Sequence, residues 1–250
     1  MLDITDNLTK FFALIKYSTR KILFKKRIII AFLILLTVIS VLGYAGSQQT
    51  DKLTTGSDLL GLLIVWFFMP AICMIYGCSV IRDEIEDKSI THVITAPINR
   101  ILAYSSYYVS LIICLSLINL IIFSLGFISF FGQKGIDSEA ISIYTTFLGL
   151  VILGVFIYSA LFLLTSVIFK RPIYFGLFFV FIWEGFIGTI PGNIQKISFN
   201  FYLRSIGSKQ LEYITINGAT NVITSLAIIF GSILILIILG SIFFKTKEFS

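Results

Sequence analysis

The sequence predicts an all-α integral membrane protein with six transmembrane helices in a single domain, residues 1–250. Hydrophobic residues make up 57% of the 250 and charged residues 13%, and the mean hydropathy is +0.99, which is far from the usage of soluble domains. Several continuously apolar runs reach the length of about 20 residues that a spanning helix needs. These runs lack the alternation of apolar and polar residues that a membrane β-barrel requires.

The apolar runs set the boundaries of the predicted spans. They cover residues 28–45, 59–81, 101–131, 143–169, 174–190 and 222–244. Pro70 falls inside the second run and predicts a kink or a local break, because proline lacks a backbone donor and clashes with the preceding turn. The third run is longer than a bilayer requires, so we expect it to tilt or to project beyond the headgroups.

Residues 1–27 predict an amphipathic helix that lies in the headgroup plane before the first span. Its apolar residues recur at helical spacing, namely Leu8, Phe11, Phe12, Ile15, Ile22 and Leu23. Basic residues, including Lys10 and Arg20, fall on the other side, which favours contact with anionic membrane lipid. A solvated charged leader is the alternative interpretation.

The distribution of basic residues predicts the orientation of the six spans. An even number of spans brings both termini to the same side of the membrane. Of the 19 Lys and Arg residues, five then lie on the opposite side: Lys52, Lys134, Lys196, Arg204 and Lys209. Since cytoplasmic segments are enriched in Lys and Arg, both termini are expected in the cytoplasm of a cell-membrane protein.

Residues 82–100 form a charged segment between the second and third predicted spans. Their sequence is RDEIEDKSITHVITAPINR, with four of the 13 acids and the single histidine, His92. Glu84 and Lys88 have the favourable i, i+4 order of a helix, and Pro97 ends it. The charge pattern fits a solvated loop and a cytoplasmic surface for docking a soluble partner equally well.

The sequence contains no motif that is typical of a catalytic, metal-binding or nucleotide-binding site. His92 has no H-E-x-x-H or zinc pattern around it, and Cys73, Cys78 and Cys114 lie in apolar runs, which favours buried structural side chains. The sequence also contains no G-x-x-x-x-G-K-[ST] nucleotide-binding loop. We therefore expect no enzymatic activity, metal or cofactor on this chain itself, and no nucleic-acid partner.

Glu184 is the acid that lies within an apolar run, in the predicted fifth span. Placing a carboxylate at membrane depth costs free energy, so the default hypothesis for such a residue is a functional role. Glu184 lies shortly before Pro191, near the predicted outer interface, where water or backbone donors of a re-entrant segment, residues 191–221, can satisfy it. A structural or gating role and direct handling of a substrate or proton both remain open.

Two stretches resemble a known family. Residues 84–90, EIEDKSI, followed by residues 95–100, TAPINR, resemble the cytoplasmic loop of the ABC type-2 permeases. There a glutamate-rich helix precedes Gly-Thr-aliphatic and then Pro-hydrophobic-x-Arg. Lys88 and Ser89 depart from the Gly-Thr pair. The second stretch, Trp183-Glu184-Gly185 continuing to Pro191-Gly192, Ser198 and Tyr202, resembles the end of the family's fifth span and its re-entrant connection.

The resemblance implies a permease subunit of an ATP-driven exporter. It would pair with an identical or related permease and dock two ATP-binding subunits, which carry the ATP and Mg. The family's loop helix is a coupling helix, which implies ATPase coupling by Glu84, Glu86, Ser89, Pro97 and Arg100. The second stretch implies an outer gate or structural element formed by Glu184, Gly185, Pro191, Gly192 and Tyr202.

Three other function classes stay open at this stage. An intramembrane enzyme would need a catalytic set such as H-E-x-x-H, and His92 has no such partner. An ATP-independent transporter or channel would show paired broken helices or several charges near mid-membrane, and the spans carry only Glu184. A non-transporting membrane scaffold would bind the same ATPase yet move no solute.

Overall fold

The computed structural model describes residues 2–23, 25–48, 52–87, 99–133, 135–186, 188, 190, 192–211, 214, 216 and 218–247. Within these ranges every regular element is helical. The helices, in chain order, are α1 (Leu2–Leu23), α2 (Ile28–Gln48), α3 (Leu53–Glu86), α4 (Arg100–Phe131), α5 (Ser138–Ile168), α6 (Pro172–Glu184), α7 (Phe199–Gln210) and α8 (Val222–Thr246). A short 3₁₀ turn, Asn193–Ile197, precedes α7.

Five of these helices are long and apolar enough to cross a membrane: α2, α3, α4, α5 and α8. They correspond to the first four predicted spans and the last one, so the class of helical membrane protein is confirmed. The helices α2 and α3 extend beyond the predicted spans, because hydropathy marks the lipid-embedded part and a helix can continue past it. The first residues of the charged segment 82–100 are thus the last turn of α3.

The element at the predicted fifth span is shorter than expected. The prediction covered residues 174–190, whereas α6 ends at Glu184 and is about 20 Å long at 1.5 Å per residue. That is less than the hydrocarbon thickness of about 30 Å. Glu184 is the last residue of α6, and its side chain binds the start of α7, as described below.

The irregularity predicted at Pro70 is present as a π-helical segment, Gly61–Phe68, inside the continuous helix α3. The N–H of Met69 donates to the carbonyl of Ile64, five residues back. A widened turn immediately before a proline accommodates its ring and its missing donor without ending the helix.

The core of the bundle is the contact between α3 and α5, which are the most buried of the long helices. Gly77 of α3 lies directly against Phe162 of α5, and a Cβ atom on Gly77 would stand 2.6 Å from Cβ of Phe162. Real Cβ atoms do not approach so closely, so the spacing of the two helices depends on this glycine. Small residues have this role in many membrane helix pairs.

The helix α1 packs along α4 instead of extending away from the bundle. Its buried face consists of Leu14, Ser18 and Ile22, which are spaced one helical turn apart. The Ser110 hydroxyl of α4 donates to the carbonyl of Ile15 at 3.3 Å. The opposite face of α1 includes exposed apolar side chains, such as Phe12 at 65% exposure.

Polar contacts define the two ends of the bundle. At one end, which we call the basic end, Arg27 binds Asp83, and Nζ of Lys247 donates to the carbonyl of Ile168 at 3.1 Å. The start of α6 lies at the same end, since the Sγ atom of Cys78 in α3 donates to the carbonyl of Pro172 at 3.5 Å. This end collects the starts of α2, α4 and α6 and the ends of α3, α5 and α8.

The opposite end collects the ends of α2, α4 and α6 and the starts of α3, α5, α7 and α8. The Gln133 side chain after α4 donates to the carbonyl of Gly43 in α2 at 2.8 Å. The end of α6 meets the start of α7 at this end, and the Ser225 hydroxyl in the first turn of α8 lies 2.6 Å from that of Thr220.

We predict that Gly77→Ala lowers the stability of the protein by about 1–3 kcal/mol, because the added methyl overpacks the contact with Phe162. Thermal unfolding of the purified chain in detergent measures the effect. Gly149→Ala in α5 is the matched control, since a Cβ atom at Gly149 meets nothing within 4 Å. Equal melting temperatures for the two variants would contradict the close approach of α3 and α5.

Candidate functional sites at the two ends of the bundle

The end of α3 carries acids that bind cations of α1. Glu84 is buried, with 2% of its side chain exposed, and its Oε1 atom lies 3.0 Å from Nζ of Lys21. The same Nζ atom lies 3.2 Å from Oδ2 of Asp87. Because Glu84 and Asp87 are three residues apart, they share one face at the helix end. Lys21 therefore joins α1 to the end of α3.

Asp83 extends this contact to the turn between α1 and α2. Its carboxylate accepts hydrogen bonds from both terminal nitrogens of Arg27, with Nη2 at 2.9 Å from Oδ1. Nζ of Lys25 lies 2.8 Å from Oδ2 of the same carboxylate. Two-point guanidinium–carboxylate pairs of this kind are strong and directional. We call the six residues the charge latch: Lys21, Lys25, Arg27, Asp83, Glu84 and Asp87.

The latch favours the charged forms of its cations. The hydrogen bond to Asp83 raises the pKa of Arg27 above its usual value, although burial opposes this change. Burial lowers the pKa of Lys21, but the contacts with Glu84 and Asp87 raise that pKa by more. A lysine with a raised pKa contributes its full stabilisation below the unfolded value and loses it only as pH rises through the folded value. The contribution of Lys21 to stability is therefore fully present at neutral pH.

The residues predicted to couple to an ATPase lie in different surroundings. Glu84 is buried in the latch, whereas Glu86 is exposed on the last turn of α3 and pairs with Arg82 at 3.3 Å. Arg100 begins α4, and its Nη1 atom donates to the carbonyl of Lys245 near the end of α8 at 2.8 Å. Glu84 and Glu86 are thus brought together at one helix end, while Arg100 holds another pair of helices.

Ser89 and Pro97 lie outside the described residues, as does the rest of the segment 88–98. The coupling helix predicted there stays a prediction. Its two flanks are fixed by the end of α3 on one side and by Asn99 on the other, whose side chain caps α4 by accepting from the N–H of Ile101 at 3.1 Å.

The latch was not recognised in the sequence. Its signal was available, because Lys21 on α1 and Lys25 in the turn after it are spaced i, i+4, as are Asp83 and Asp87 at the end of α3. Two complementary charge pairs on separate helices predict a contact only once the helices are known to be adjacent.

Glu184 occupies a buried site at the opposite end, with 2% exposure. It accepts hydrogen bonds from the N–H of Phe199 at 3.0 Å, from the N–H of Asn200 at 3.1 Å and from the Ser198 hydroxyl. Phe199 and Asn200 are the first residues of α7, so their N–H groups have no partners within that helix. A carboxylate at this position satisfies these donors and interacts favourably with the helix dipole.

The other residues predicted at the outer gate lie at the end of α6, in the connection that follows it and on α7. The N–H of Gly185 donates to the carbonyl of Val180 at 3.1 Å at the end of α6. Gly192 has a φ angle of +112°, a conformation that favours glycine. The Tyr202 hydroxyl on α7 donates to the carbonyl of Lys196 at 2.8 Å and holds the 3₁₀ turn against that helix. Pro191 lies outside the described residues.

A cavity of about 300 Å³ at the same end was not expected from the sequence. The guanidinium of Arg204 lies over the Trp66 ring, 5.5 Å from its centre. Burial lowers the pKa of Arg204, and the charge of Asp58 on the cavity wall opposes that change. In the part of the chain that the structure describes, no cluster of three or more His, Cys, Asp or Glu side chains is arranged to hold a metal ion.

Comparison with known proteins identifies one family. The family model described as "ABC-2 family transporter protein" matches residues 14–185. The matched region includes the charge latch and ends just after Glu184. No curated protein matches the chain.

We predict that Glu84→Gln lowers the stability of the protein by about 1–3 kcal/mol, because Lys21 loses its buried partner. This range lies between the values for exposed and for fully buried ion pairs. The exposed Glu86→Gln, two residues away, is the matched control and should cost less than about 0.5 kcal/mol. Thermal unfolding in detergent compares the two. A larger loss for the Glu86 variant would contradict the latch.

We predict that Glu184→Gln loosens the start of α7, because an amide offers one acceptor oxygen where the carboxylate offers two. Hydrogen exchange at the amides of Phe199 and Asn200 should become at least about tenfold faster, which corresponds to a loss of 1.4 kcal/mol. Glu139→Gln in the first turn of α5 removes an exposed carboxylate at the same end and is the control. Unchanged exchange in the Glu184 variant would refute the capping role.

Proposed function

Because the chain belongs to the ABC-2 transporter family, we propose that it is the membrane-spanning permease subunit of an ATP-driven exporter. Two copies, or one copy and a related permease, form the translocation path together. Two separate ATP-binding subunits dock at the basic end and carry the ATP and Mg. The family match over residues 14–185 is the observation that carries this proposal.

The proposed topology has six crossings of the membrane. The contact between Cys78 and Pro172 supports a start of α6 at the basic end, and the bonds from Glu184 to α7 support its end on the other side. Although α6 is short, it would form the fifth crossing together with the residues that follow it. Both termini then lie at the basic end, which faces the cytoplasm by the excess of Lys and Arg there.

The proposed contact with the ATPase is centred on the end of α3 and residues 88–98. Glu86 is exposed there and is available to a cationic partner surface. Glu84 has an indirect role, since it holds the end of α3 to α1 through Lys21. Asp83 connects the same helix end to Arg27 at the start of α2. A displacement of α3 by the ATPase would therefore carry α1 and α2 with it, as alternating access requires.

The opposite end has a proposed role as the outer gate of the export path. Glu184 connects the end of α6 to the start of α7, so movement of either element is transmitted to the other. Since the acceptor positions of Glu184 are used by α7 and Ser198, we favour a structural or gating role over proton or substrate handling.

We predict that Glu86→Lys weakens association with the ATP-binding subunit by at least about tenfold, or 1.4 kcal/mol, because a charge of the wrong sign enters the contact. Co-purification from native membranes measures the association. Glu139→Lys makes the same change at the other end of the bundle and should have no effect.

Normal recovery of the ATPase with Glu86→Lys, and its loss with Glu139→Lys, would contradict the proposed docking side. Export that continues in membranes stripped of the ATP-binding subunit would instead favour an ATP-independent transporter. A complex that retains its ATPase but whose ATP turnover drives no solute movement would favour a membrane scaffold.

A further inference from the structure

A second cavity of about 300 Å³ lies at the basic end, between the start of α2, the last turns of α3 and the junction of α5 with α6. Four cationic side chains line it: Arg27, Arg82, Lys170 and Arg171. Two acids, Asp83 and Glu86, are also in its wall. Its volume is at the lower end of the range of about 300–1,000 Å³ that is typical of small-molecule sites.

Both acids of the cavity already have cationic partners. Asp83 binds Arg27 and, from outside the cavity, Lys25 at 2.8 Å. Glu86 pairs with Arg82 at 3.3 Å. In the described part of the chain, no carboxylate lies within ion-pairing distance of Lys170 or Arg171. The cavity therefore has two cations in excess.

A third cation adds to the excess beside the cavity. Lys247 donates to the backbone carbonyls of Val167 and Ile168 at the end of α5. Its pKa is lowered by burial and further by the positive charges of Arg82 and Lys170. Cations that repel one another at close range favour an anion that lies between them.

Part of the cavity lining is apolar and exposed. Ile173 and Tyr174 line the cavity and are 48% and 66% exposed. Ile28, the first residue of α2, follows Arg27 and is 47% exposed. An exposed tyrosine beside isoleucines and cations is typical of the boundary between headgroups and acyl chains.

We propose that this cavity binds the phosphate headgroup of an anionic phospholipid. Arg171 and Lys170 would contact the phosphate, because guanidinium groups bind its oxygens in pairs and ammonium groups add charge. The acyl chains would leave past Ile173 and Tyr174. The inference uses the membrane position of the basic end and does not depend on an ATPase docking there.

A lipid in this cavity would connect the helices of the charge latch to two elements that the latch does not reach, α5 and α6. The latch joins α1, α2 and α3, whereas the cavity also contacts the junction of α5 and α6. A bound headgroup would therefore stabilise the closed arrangement of the basic end, and its loss would free the start of α6.

Binding of a short-chain phosphatidylglycerol to the full chain in neutral detergent tests the proposal, with native mass spectrometry as the readout. The double substitution Lys170→Gln with Arg171→Gln should lower the affinity for the first bound lipid about thirtyfold. This value follows because each cation near an anionic headgroup contributes about fivefold to the affinity. The control is Lys16→Gln with Lys26→Gln, which removes two exposed cations that do not line the cavity. It should change the affinity less than about threefold.

Three further measurements keep the test decisive. The swap Lys170→Arg with Arg171→Lys retains both charges and should retain binding even if the glutamine pair folds poorly. In the unmodified chain, phosphatidylglycerol should raise the melting temperature and the zwitterionic phosphatidylcholine should not. Inorganic phosphate should bind much more weakly than the lipid, because it lacks the acyl chains.

An equal loss of lipid affinity in the Lys170→Gln, Arg171→Gln variant and in its control would mean that surface charge alone attracts the lipid. That result would overturn the proposed site. Unchanged binding in the glutamine pair would overturn it as well. Inorganic phosphate that binds as tightly as phosphatidylglycerol would assign the cavity to a soluble anion and overturn the lipid source.

Discussion

The ion pairs between α1 and the end of α3 are the interaction on which the arrangement of the basic end depends. The last turns of α3 carry Asp83, Glu84 and Asp87. When the fold removes these carboxylates from water, they need cationic partners, because an unpaired buried charge is costly. Lys21, Lys25 and Arg27 provide these partners from the preceding segment of the chain. The pairing fixes α1 against the bundle and determines where α2 begins, so one charge cluster positions three helices.

At both ends of the bundle, buried carboxylates join two elements of the fold, but their partners differ. At the basic end, carboxylates of one helix hold cations of another. At the opposite end, Glu184 holds the backbone N–H groups at the start of α7. Between these ends, α3 and α5 pack closely through Gly77. In such a bundle the packed helices, whose termini are joined by polar contacts, transmit a displacement from one end to the other. A permease requires this mechanical coupling between its two ends.

Much of the fold was predictable because bilayer thickness imposes a length and a composition on each span. The helices α2, α3, α4, α5 and α8 followed from apolar runs alone. The end of α6 did not, and neither did the contact that Glu184 makes there with residues 14–16 positions later in the sequence. The burial of Glu84 was not predictable from its local sequence either, because its partner Lys21 lies 63 positions earlier. Local patterns carry no information on such distant partners.

The central claim is that the chain is a permease whose ATP-binding partner docks at the end of α3. Site-specific photo-crosslinking in native membranes tests it most directly, with the reactive group placed at Glu86 or at Tyr202, which lie at opposite ends of the bundle. We expect an ATP-binding protein to be captured from position 86 and not from position 202. Capture from position 202, or from neither position, would contradict the claim.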